Sequence, residues 1–161
     1  MIGAAVKSGQ YSDPAAEAYL IRTLVRRRDA IGRAFLTRIN PIVSPSLGDP
    51  GLLTFHNAAV DSDCAPAPTS YHVTWYRFDN ATGDTAPLGE RTDTRSTAVQ
   101  APSALPREVD AFVRVDIAAL APAYPSWRDP VRAYFRRTTD SWALVGLEHE
   151  RKLIPSPDSL H

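Results

Sequence analysis

Two periodicities divide the chain. From Ala15 to Arg38 apolar side chains recur every three to four positions. At 100° per residue Leu20, Leu24, Ile31 and Phe35 fall within an arc of about 60°, and Ile21, Val25, Leu36 and Ile39 widen it by about another 100°. The pattern predicts one long amphipathic helix. Its start lies in Ser12-Asp13-Pro14, where either Ser12 or Asp13 can accept a hydrogen bond from an orphan backbone N–H and the proline loses nothing in the first turn. Gly32 is its weakest interior position, and Pro41 stops it near residue 39 or 40. Residues 1–9, with Ile2, Ala5 and Val6, predict a further short helix ending near Gly9 that needs something to pack on.

Asn40 to Pro50 carries prolines at 41, 45 and 50 with Gly48 between them, and reads as a boundary between two kinds of structure. Beyond it the period falls to two. Strands are predicted at 52–56, 71–78, 111–117, 130–136 and 142–148, with weaker ones at 87–91 and 97–100. Asp79 to Asp84 and Arg137 to Ser141 supply turns, and Pro122 and Pro125 make 120–127 a loop. No intervening stretch is long enough for a helical crossover. The expected fold is therefore mainly β: an antiparallel β-sandwich of about seven strands, immunoglobulin- or fibronectin type III-like, preceded by the long helix. The Cys…Trp…Cys spacing of a true immunoglobulin domain is missing, because Cys64 is the single cysteine. The expected organisation is a helical segment over 1–44, a sandwich over 45–154 and a flexible tail over 155–161.

Charge changes this picture more than composition does. The 161 residues balance eighteen basic against eighteen acidic side chains. Residues 1–44 hold seven basic and three acidic ones, a net +4, and the remainder holds the compensating −4. Overall neutrality argues against a general nucleic-acid binder. The Arg26-Arg27-Arg28 run points in several directions around a helix, without interleaved aromatics, and reads as a solvated basic face. Arg28 is the exception, because it projects within the apolar arc. Three readings stand for it: a stem that covers apolar surface, an ion pair with an acid on the β part or a neighbouring chain, or an anion contact. No apolar run of 18 residues predicts a membrane span.

Candidate chemistry is sparse. His56 and His72 can approach each other if their strands are neighbours, and Asp61 or Asp63 can reach them through the intervening loop, but no ligand motif accompanies them. Glu148-His149-Glu150 does not match a zinc-protease helix. Cys64 follows two acids, Asp61 and Asp63, that disfavour a thiolate. Neither a nucleophile elbow nor a phosphate-binding glycine loop occurs, and no carboxylate pair stands out. No catalytic, cofactor-binding or metal-ligating residue is assigned, and no cofactor. Trp75 and Trp142 lie in strands and read as core. Tyr124 and Trp127, in a proline-containing loop, are expected to be partly exposed and are candidate contacts for a glycan or a protein.

Residues 8–20, with Arg27-Arg28-Asp29-Ala30-Ile31-Gly32-Arg33, resemble the C-terminal region of large uncharacterised bacterial proteins that place such a helix before a β-rich end domain. Residues 131–137 and 144–148 resemble the closing strands of that region. The resemblance carries no activity. It implies an accessory fragment of a larger bacterial protein, in an envelope or secreted context.

These readings converge on a noncatalytic structural or protein-interaction module, partnered by an upstream domain or another protein. Arg28, Tyr124 and Trp127 are its candidate contacts. Two alternatives remain beside it: an accessory region of an enzyme whose catalytic domain lies upstream, and a carbohydrate-binding β-sandwich.

Overall fold

Strict alternation sets the core. In the computed structural model, which describes residues 2–9 and 13–149, Tyr71, Val73 and Trp75 of strand β3 (Ser70–Phe78) face inward. So do Val113, Val115, Ile117 and Ala119 of β7 (Phe112–Leu120), and Val131, Ala133 and Phe135 of β8 (Val131–Arg137). These strands pair antiparallel, Trp75 opposite Val115 and Val115 opposite Ala133, so one register puts their inward side chains on the same side. β9 (Trp142–His149) closes one edge, and the short β4 (Thr85–Pro87) and β5 (Thr92–Thr94) both pair with β3 at the other. That makes six strands. A second sheet holds β1 (Ile42–Gly48), β2 (Leu52–Asn57) and β6 (Ala98–Gln100) in the order β1-β2-β6. Both sheets bury their apolar sides in one core, where Phe55 of β2 meets Tyr71 of β3 edge to face at 5.1 Å.

Two helices precede the sheets. Helix α1 (Ile2–Lys7) folds back along α2 (Pro14–Leu36), with Val6 buried and Gly3 facing Ile21. Asp13 caps α2 by accepting the Ala15 N–H at 2.8 Å, as the sequence predicts. Helix α3 (Ala58–Asp61) is a single turn capped by the buried Asn57, whose Oδ1 accepts from Ala59 and Val60 at 3.2 Å.

The strand expectations need three corrections. The proline-punctuated stretch at 41–50 contains β1, which bulges between Val43 and Ser46 with Ser44 at φ 51°; a bulge is where a strand accommodates proline. Of the strand expected over 87–91 only Pro87 is in a strand, the end of β4; residues 88–91 form the turn between β4 and β5, where Gly89 sits at φ 121°, a conformation side chains oppose. Residues 125–128 make a 3₁₀ turn rather than plain loop. The counts are thus nine strands among the described residues, not seven. The tail expected over 155–161 lies outside the described residues.

Candidate functional site

Helix α2 is long but shallowly held. None of its 23 residues is buried. Its N-terminal half is partly covered by α1, and its C-terminal end is fixed to the sheets. There the carbonyls that a helix leaves unpaired find side-chain donors. Trp127 Nε1 donates to the Leu36 carbonyl at 2.9 Å, and Ser126 Oγ donates to that of Thr37 at 3.3 Å. Just beyond, the buried Asn40 donates through Nδ2 to the carbonyls of Ile117 and Asp129 at 2.9 and 3.0 Å, and accepts from the Ile42 N–H. Gly32 lies against Cys64, so closely that a Cβ there would stand 2.7 Å from the sulfur.

Between these two anchorages the apolar arc stays open. Ile31 and Phe35 are 60% and 65% exposed, and Tyr19 is 67% exposed farther along. Ile31 and Phe35 continue the line of Leu20 and Leu24, beyond the part that α1 covers. Arg27 and Arg28 lie one turn away, at i+4 and i+3 spacing from Ile31. Arg28 bonds through Nε and Nη2 to its neighbour Asp29, at 2.8 and 2.6 Å. Its ion pair is therefore with its own helix, not with the β part.

The other two predicted contacts are not displayed together. Trp127 is fully buried, and its ring packs on the half-buried Tyr124 at 4.7 Å and 31°. Partial exposure of Trp127 was the expectation; the turn begun by Pro125 instead folds the indole beneath the end of α2. A flat exposed pair of rings for a sugar face is not formed. Neither do the two histidines meet. His56, on β2, pairs with Asp61 at 3.1 Å, while His72, on β3 of the other sheet, lies 3.8 Å from Asp93. Hydrogen bonds from Arg91 hold the Asp93 carboxyl below the usual carboxylate range. Burial pushes the Tyr71 phenol up, partly offset by the hydrogen bond from Asn57.

Clefts open on the body among the described residues. One, of about 580 Å³, is lined by Arg77, Asp79, Asp84 and Asp110 among others. Its acids are engaged: Asp79 accepts from the Ala81 and Thr82 N–H groups, Asp84 from the Thr82 hydroxyl, and Asp110 pairs with Arg136. Another, of about 460 Å³, lies among the β1–β2 turn, the segment after β6 and the start of β9. Asp49, Gln100, Arg107, Arg137 and Trp142 line it. The outer face of the larger sheet adds a network in which Arg114 reaches Asp116 at 2.9 Å and stacks over Tyr76, and Tyr134 donates to Glu148. Among the described residues no group of three or more His, Cys, Asp or Glu side chains forms a metal site, and no helix is long and apolar enough to cross a membrane.

Comparison of the chain with family models, with curated proteins and with solved structures finds no match. Sequence reasoning missed Asn40, which reads locally as a helix-ending residue, and the cleft arginines, which are strand-end and loop residues without a motif.

Proposed function

We propose that the chain is a noncatalytic protein-interaction module that docks a partner helix on the open side of α2. The observation that carries this is the exposure of Ile31 and Phe35 on a helix with no buried residue. Apolar side chains this exposed, on the arc that also carries Leu20 and Leu24, favour an occupant that covers them. Charge selects its chemistry. Helix α2 holds five arginines against two acids, so the fitting partner is an amphipathic helix with acidic residues beside its apolar stripe.

The same reading takes the β part as an immunoglobulin- or fibronectin type III-like sandwich that serves as the rigid mount. Strand order supports it: the first, second and sixth strands share one sheet, and the third, seventh and eighth share the other. Strands A, B, E and C, F, G divide in that way. On this view β9 and the pair β4 and β5 are additions at the two edges of the larger sheet.

A binding titration tests the docking. Two synthetic helices, each with a leucine stripe, one flanked by glutamates and one by lysines, are titrated into the chain by fluorescence anisotropy. The glutamate-flanked helix should bind, and Ile31→Glu with Phe35→Glu should weaken it at least about tenfold. Equal binding of both helices, or binding indifferent to the substitutions, would sink the reading.

A further inference from the structure

We propose that the cleft lined by Arg107, Arg137, Gln100 and Trp142 binds a small ligand through one oxyanion, a carboxylate or phosphate group. This inference is independent of α2. The Arg137 side chain is 16% exposed, and among the described residues its one polar side-chain partner is Asp49, at 3.4 Å from Nη1. A guanidinium has five donors in a planar fork. Most of those of Arg137 are therefore not used by the protein, and the side chain lines the cleft.

Its position is fixed all the same. The backbone N–H of Arg137 donates to the Ala111 carbonyl at 2.8 Å, its carbonyl accepts from Asp110, and the guanidinium carbon lies 5.6 Å from the centre of the Trp142 ring. An arginine held this way presents its donors without the cost of ordering a free side chain. The exposed Arg107 lines the same cleft and has no hydrogen-bond or ion-pair partner for its side chain among the described residues. Asp49 is the single acid of the lining, against two arginines. The Gln100 amide adds a donor whose present bond, to the Pro50 carbonyl, is long at 3.4 Å. Pro50, Pro102, Leu105 and the edge of Trp142 supply an apolar wall. A volume of about 460 Å³ suits a small molecule rather than a polymer. Carboxylate and phosphate both match a guanidinium fork, so the lining selects the oxyanion and not its carrier.

The test is an NMR titration of the whole chain with acetate and, separately, with inorganic phosphate, at constant ionic strength maintained with sodium chloride. Saturable shifts confined to Arg107, Arg137 and the Trp142 indole N–H are expected, and the tighter of the two probes identifies the preferred oxyanion. Arg107→Gln should weaken that binding about tenfold or more, the loss typical of one charge-assisted contact. Arg137→Lys, which keeps the charge and removes the fork, should weaken it similarly. Should Arg137→Lys fail to fold, the exposed Arg107 decides. Shifts that never saturate, that chloride alone reproduces, or that Arg107→Gln leaves unchanged would overturn the proposal.

Discussion

Gly32 is the poorest helix former in the interior of α2, and its neighbour in space explains it. Glycine inside a helix costs about 1 kcal/mol relative to alanine. At this position an added Cβ would meet the Cys64 sulfur at 2.7 Å, so the missing side chain is what lets α2 approach the α3 region. Cys64 is itself held there, its N–H donating to the Ala59 carbonyl at 2.8 Å. The two sites should therefore be coupled. Gly32→Ala is expected to gain little or to destabilise in the natural chain, and to recover about 1 kcal/mol of helix propensity when combined with Cys64→Ala. Urea unfolding of the four proteins measures it; a coupling energy of zero would mean that α2 does not rest on Cys64. At this scale legibility follows distance along the chain. The Asp13 cap is readable because donor and acceptor are two residues apart. The partner of Gly32 is 32 positions away, and that of Arg137 is 88, so composition alone marks neither.

At the scale of elements, periodicity recovers what one face determines and loses what tertiary bonds determine. Strands β3, β7 and β8 alternate without interruption and are legible to within a residue or so, save the end of β7, which runs three residues past 117. β1 is not, because Pro41 and Pro45 read as breakers, and only the bulge beside Ser44 lets the strand form around Pro45. The junction of α2 with the sheets is hidden for the same reason. Trp127 reads as an exposed loop aromatic until its indole is found against the Leu36 carbonyl. That bond and the buried ring attach the helix, so Trp127→Phe should cost about 1–3 kcal/mol, from one hydrogen bond and the volume lost around it. Denaturant titration supplies the global loss. Hydrogen exchange should add faster exchange in the last turn of α2 than in β8. A substitution that lowers stability without loosening that turn would place the role of Trp127 wholly in the sheet core.

For the whole molecule, the neutral total conceals a division of labour that the described structure makes physical. The acidic part is a two-sheet body with one core; the basic part is a helix that rests on α1, on Cys64 and on the turn at Trp127 and leaves Ile31 and Phe35 exposed. Most of the stability of a protein helix comes from tertiary packing of its apolar face, and this one contributes no fully buried side chain. Its middle amides should open by local unfolding, well below the free energy that opens the sheets. Hydrogen exchange of the free chain is expected to give amides 24–30 protection at least about 100-fold lower than those of β7, whose inward residues are fully buried. Addition of the glutamate-flanked helix should raise α2 toward the level of β7 and leave β7 unchanged. Equal protection in the free chain would mean that α2 belongs to the cooperative core already. The exposure of Ile31 and Phe35 would then be an ordinary surface feature, and the case for a docked partner would lose its physical basis.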